Sequence, residues 1–135
     1  MSRCNTNLAA EFYVLSMLHR LGMEANLTLG DKKGVDIVVV REAGEAVTVE
    51  VKGVAKRYDW PASNISSPHP ERHFVVLVSF EGGIEDPTVM PRCWVVPFPE
   101  LDPFLHLYGT RLDVRRSLIE WEGQRFENAW GLIEG

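Results

Sequence analysis

Four charged residues stand where the sequence around them reads as apolar. Asp36 opens the run Ile-Val-Val-Val, Glu50 and Lys52 flank Val51 at the end of a second valine-rich run, and Glu11 interrupts the segment Leu8 to Leu18. An unpaired buried charge costs several kcal/mol, so each needs a partner, a metal or a place at the edge of the core. Two carboxylates held close together repel and raise one another's pKa, and a bound cation reverses that penalty. Mg²⁺ or Mn²⁺ suits such a pair, because hard cations take oxygen ligands and keep several waters. They also polarise a phosphoryl oxygen and lower the pKa of a bound water. Lys52, two residues beyond Glu50 on the same face of a strand, could orient that water or neutralise charge developing in the transition state. Taken alone, Glu50-Val51-Lys52 is also what a buried Glu–Lys pair at a strand end would look like.

The elements that must position these residues can be read from spacing. Asn5, Thr6 and Asn7 offer N-cap side chains for a helix running to about Arg20 and stopping at Gly22. Leu8, Phe12, Val14, Leu15 and Leu18 form its apolar arc, with Ser16, His19 and Arg20 opposite. Glu11 falls inside that arc and is expected to point at a sheet; a margin position with the carboxylate reaching solvent fits the helix equally well. A strand Ala25 to Leu29 and a turn Gly30 to Gly34 follow. Val35 to Val40 and Ala46 to Val51 then form a hairpin around Glu42-Ala43-Gly44-Glu45.

Register decides whether the acids meet. With Gly44 left-handed in a three-residue loop, Arg41 pairs with Glu45 and Asp36 falls opposite Glu50, so that Asp36, Glu50 and Lys52 line one face. A two-residue loop, Ala43-Gly44, would send Asp36 to the other face.

Beyond the hairpin, Lys56, Arg57, Tyr58, Trp60, Asn64 and Arg72 interleave basic, aromatic and polar residues. Lys56, Arg57, Trp60 and Asn64 are candidates for gripping a nucleic-acid backbone and stacking on bases; a solvated loop with Trp60 covering the core is the alternative. His69 and His73 are expected to be surface residues and not metal ligands, since Pro68 and Pro70 break any helix that would align them. His73 to Phe80 and Arg92 to Val96 read as strands, separated by an acidic loop. Leu101 to Tyr108 reads as a short helix, Arg111, Arg115 and Arg116 as a solvated face, and Glu122 to Ile133 as a final helix with Phe126, Trp130 and Ile133 in the core.

A chain of 135 residues with 45% hydrophobic content builds one core, so residues 1–135 are expected to form one domain. Neither a signal peptide nor a membrane span fits Leu8 to Leu18, which implies cytoplasmic residence and no membrane partner. Cys4 and Cys93 have no CxxC or Cys/His companions and read as ordinary thiols. The net charge of −5 excludes a general nucleic-acid-coating protein. The acidity is uneven, however: residues 1–75 hold nine Lys/Arg and nine Asp/Glu, and residues 76–135 hold five and ten. Setting Glu11, Asp36 and Glu50 aside as metal ligands leaves the first part positive. GxSxG, GxGxxG and GxxxxGK[ST] are all missing, which removes any anchor for triad hydrolase, dinucleotide or P-loop chemistry.

A helix carrying Glu11, Gly34-Val35-Asp36 entering a strand, a hairpin, and Glu50-Val51-Lys52 together resemble the PD-(D/E)xK nuclease superfamily, which includes restriction endonucleases and Holliday-junction resolvases. The likeness covers residues 5–53 well and the rest loosely; Val35 stands where the name of the motif has proline. It implies an α/β, restriction-endonuclease-like fold, with a central mixed sheet of about five strands flanked by helices. It also implies DNA phosphodiester hydrolysis with Mg²⁺ or Mn²⁺. Asp36 and Glu50 would hold the metal, Lys52 would be the catalytic lysine and Glu11 an auxiliary ligand. A nuclease-fold module that binds nucleic acid or a protein without cutting is the alternative. A homodimer or a protein partner would give so small a domain the reach to hold DNA.

Overall fold

Asn5 caps the first helix, α1 (Thr6–Arg20), through its side-chain oxygen, which accepts from the Leu8 amide at 3.0 Å. In this computed structural model, residues 4–28, 34–67 and 69–135 are described. Residues 1–3, 29–33 and 68 lie outside them, and with them the last residue of the strand expected over Ala25 to Leu29 and most of the turn expected over Gly30 to Gly34. The buried stripe of α1 is Ala10, Val14 and Leu18, one residue every turn, while Leu8 and Phe12 are exposed. The expected apolar arc is therefore displaced, with Val14 at its centre and the small Ala10 at its N-terminal end.

The central sheet has five strands: β1 (Glu24–Leu27), β2 (Ile37–Val40), β3 (Ala46–Val54), β5 (His73–Ser79) and β6 (Arg92–Pro97), side by side in that order. All neighbours are antiparallel except β3 and β5, which run parallel, so the sheet is mixed. The predicted α/β architecture with about five strands is the one observed. β2 and β3 close through the three-residue loop Glu42-Ala43-Gly44. Gly44 takes φ +90° and the Arg41 amide donates to the Glu45 carbonyl at 2.8 Å, which sets Ile37 opposite Val49.

Alternation along β3 separates two apolar layers. Val47, Val49 and Val51 pack with α1, Val76, Val78 and Val95 on one face. Val54 joins Val75, Leu77, Trp94 and Val96 on the other, beneath a second sheet of three strands. That sheet, absent from the sequence reading, orders β4 (Trp60–Pro61), β8 (Arg111–Val114) and β7 (Leu105–Tyr108). Leu101 to Tyr108 is thus not a helix: 3₁₀ turns at Phe98–Glu100 and Asp102–Phe104, where Pro99 and Pro103 sit, lead into a hairpin strand that turns back at Gly109. The single closing helix expected over Glu122 to Ile133 is also broken. Helix α2 (Arg116–Glu122) ends at Gly123, a 3₁₀ turn spans Gln124–Phe126, Asn128 takes a positive φ, and α3 (Gly131–Glu134) follows. Phe126, Trp130 and Ile133 are buried all the same.

Gly53 brings α1 close to β3. A methyl group there would lie 2.7 Å from the Ala10 Cβ and 3.2 Å from the Thr6 carbonyl oxygen, so only glycine lets helix and strand approach this closely.

Candidate active site

β3 outruns its partner β2, and the site lies where the ladder ends. β2 begins at Ile37, while β3 continues through Glu50 to Val54. Asp36 stands just beyond the ladder: its amide donates to the Val49 carbonyl at 2.9 Å, and its Oδ2 accepts from the Val51 amide at 2.7 Å. A side chain thereby supplies the hydrogen bond that a longer β2 would have made.

Glu50 and Lys52 lie on the face shared with Val54, and both are largely enclosed. The Glu50 side chain is 4% exposed and that of Lys52 19%. Lys52 Nζ lies 3.3 Å from Glu50 Oε2 and donates to Asn64 Oδ1 at 3.0 Å. The other Glu50 oxygen, Oε1, lies 3.4 Å from His73 Nε2. His73 is fully buried, with Nδ1 2.7 Å from Thr48 Oγ1 and its ring edge-on to Phe98. This corrects its expected surface position: the residue opens β5, and the parallel pairing of β5 with β3 sets it directly beside Thr48.

The three acids form a chain with Asp36 in the middle. Burial raises the Asp36 pKa; the Val51 amide pulls it back, the Glu50 charge raises it again, and Lys52 and His73 lower it, with a net rise. Glu11, half-buried on α1, is raised first by burial and then by the Asp36 charge. Among the described residues, no three His, Cys, Asp or Glu side chains are grouped closely enough to make a metal site by themselves. Glu11 thus lies near Asp36 without closing a triad around Glu50.

The sequence-derived nucleic-acid candidates divide. Lys56, Arg57 and Asn64 are exposed, Arg57 with its guanidinium on Glu81 at 3.1 Å. Trp60 is not available for stacking on bases: it is fully buried, its Nε1 donates to the Val78 carbonyl at 3.0 Å, and its ring meets Trp94 edge-on. The alternation of β4 turns it inward as the second sheet closes over β5. Arg116 likewise leaves the solvated face expected of it. It is buried between the rings of Trp60 and Trp94 and binds Glu81, Glu120 and Ser79.

No family model and no curated protein matches the chain. Among solved structures it matches a bacterial homing endonuclease, I-Ssp6803I, with a TM-score of 0.58 and 17% identity, over 99% of this chain and 93% of that one. The chain shares the fold of that structure. No helix among the described residues is long and apolar enough to cross a membrane.

Proposed function

We propose that this protein is a metal-dependent nuclease of the PD-(D/E)xK type that hydrolyses DNA phosphodiester bonds. The observation that carries this reading is the end of the β2–β3 ladder, where the Asp36 carboxylate is held on the Val51 amide between Glu50 and Lys52. The endonuclease fold of the neighbouring structure supports it.

The donor set is entirely oxygen: the Asp36 and Glu50 carboxylates, with the Glu11 carboxylate near enough to feel the Asp36 charge. Such donors fit Mg²⁺ or Mn²⁺; burial, with the Glu50 charge added to it, raises the Asp36 pKa, a penalty that a bound cation would relieve. When bound, the cation supplies charge neutralisation at the phosphodiester and a more acidic water. The protein's own residues do the rest. The Val51 amide fixes one Asp36 oxygen and leaves the other for the ligand. Lys52 carries three donors, of which Glu50 and Asn64 take two, and the third can hold a water or a phosphate oxygen. Glu50, nine-tenths enclosed, keeps one geometry. Exposed Lys56 and Arg57 on the loop after β3 would grip the backbone of the nucleic acid without reading its bases.

A second reading, a nuclease-fold module that binds DNA or a protein without cutting, draws on the net charge of −5 and on the pairing of Arg57 with Glu81. Incubation of linear, branched and single-stranded DNA with Mg²⁺ or Mn²⁺ separates the two readings. Cleavage that is lost in Glu50→Ala and Lys52→Ala supports the nuclease. Cleavage that survives both substitutions sinks the site assignment, and binding without cleavage by the unaltered chain favours the module. A second copy of the chain, if it is needed to span a duplex, would show as a protein-concentration dependence of the rate.

A further inference from the structure

The strand His73–Ser79 is buried along its whole length, and six of its seven residues suit that position. Valine, leucine and phenylalanine fill it, and Ser79 is bonded to Arg116 and Glu81. His73 does not belong by composition. An imidazole with both nitrogens withdrawn from water costs free energy unless both are hydrogen-bonded, and an apolar residue of similar volume would pack beside Phe98 without that cost. Its two polar contacts are therefore the reason to look for a role.

On one side, Nδ1 lies 2.7 Å from Thr48 Oγ1. On the other, Nε2 lies 3.4 Å from Glu50 Oε1. A carboxylate only accepts, so the proton facing Glu50 must be on Nε2. The Thr48 hydroxyl is placed to hold the ring in that orientation from behind. Thr48, Glu50 and Lys52 are alternate residues of β3 and share one face, so Glu50 is flanked by Lys52 on Oε2 and by His73 on Oε1. Both oxygens are thus fixed by side chains on rigid strands. Hydrogen-bonded partners of metal-ligating groups orient them in this way, and removing such a partner commonly lowers metal affinity by about 10–100-fold.

We propose that His73, held by Thr48, is the positioning residue that sets the Glu50 carboxylate for cation binding. The inference rests on the nuclease reading above and extends it to a residue that is neither a ligand nor in contact with DNA.

Two measurements test it together. The first needs no metal. The ring signals of His73 in ¹⁵N-resolved NMR spectra are expected to show a protonated Nε2 and to shift in Glu50→Ala; a ring protonated only on Nδ1, or one indifferent to Glu50→Ala, overturns the proposal. The second is Mn²⁺ binding, followed by calorimetry, in the unaltered chain, His73→Leu and His73→Gln. His73→Leu is expected to keep the fold, with a Tm no lower than that of the unaltered chain, and to bind Mn²⁺ about tenfold or more weakly. Glutamine can place an amide donor near the position of Nε2, so His73→Gln is expected to recover most of the affinity. Equal Mn²⁺ affinity in the unaltered chain and a folded His73→Leu variant overturns the proposal. If His73→Leu unfolds, the Thr48→Val variant replaces it, with the same tenfold weakening expected and equal affinity again overturning the proposal. If the unaltered chain binds no Mn²⁺ while the His73 ring still responds to Glu50→Ala, the nuclease reading has failed, and the proposed role of His73 falls with it.

Discussion

Asp36 carries the tension of the site at the scale of a single residue. Its carboxylate serves as a backbone cap for Val51, yet it is half-buried beside Glu50 and Glu11. Because burial raises its pKa, the stability linked to Asp36 is fully present below the ordinary carboxylate range and is lost as pH rises through the raised value. Asp36→Asn keeps an oxygen for the Val51 amide and removes the charge. In the absence of divalent cation, this variant is expected to melt at a higher temperature than the unaltered chain at neutral pH, with the gap closing as pH falls below the usual carboxylate range. Added Mn²⁺ should raise the Tm of the unaltered chain and leave that of Asp36→Asn in place. Thermal melts across pH, with and without the metal, check both statements. The acids and the lysine were legible in the sequence because charges in valine-rich strands stand out. His73 was not: it follows a proline-rich stretch that reads as surface, and only the parallel pairing of β5 with β3, between residues distant in sequence, brings it to Thr48 and Glu50.

Among the elements, the β2–β3 hairpin was the easiest to foresee, since one glycine in the right place determines its register. The second sheet was hidden. β4 is two residues long, and the prolines ahead of β7 imitate the start of a helix. Trp60 shows the consequence, because a tryptophan among basic residues resembles a stacking platform until β4 is seen to turn it inward. Trp60→Ala is expected to cost about 3–5 kcal/mol in denaturant unfolding. Lys56→Ala should leave stability within about 0.5 kcal/mol and weaken DNA binding with a shallower salt dependence.

The same inward turn explains Arg116, which joins α2 to the end of β5. Its guanidinium pairs with Glu81 and Glu120 between two indole rings. Burial pushes Glu81 up, but hydrogen bonds from Arg116 and Ser79 and the Arg116 charge outweigh it and bring its pKa down to about 2. A depressed carboxyl pKa stabilises the fold above its unfolded value of 4.5, and the contribution disappears as pH falls toward about 2. Glu81→Gln is therefore expected to destabilise the protein by up to about 3 kcal/mol at neutral pH, and by progressively less in acid, as read from urea unfolding across that range.

For the molecule as a whole, the site occupies a seam. α1 covers one face of the central sheet and the second sheet covers the other, with Glu11 rooted in the first layer, Glu50 and Lys52 facing the second, and Asp36 at the edge between them. A seam of this kind depends on the thickness of its layers, and Gly53 sets one of them. Alanine there would force its methyl group against the Ala10 Cβ and the Thr6 carbonyl. Gly53→Ala is expected to cost about 1–3 kcal/mol, with Ala10→Gly in the same chain recovering part of it; thermal melts of the three variants read this directly. The hydrogen atom at Gly53 is thus a shim. Widen the gap by one methyl group and Glu11 recedes from Asp36, so the reach of an acid on one layer toward an acid at the edge is adjusted by a residue that touches neither.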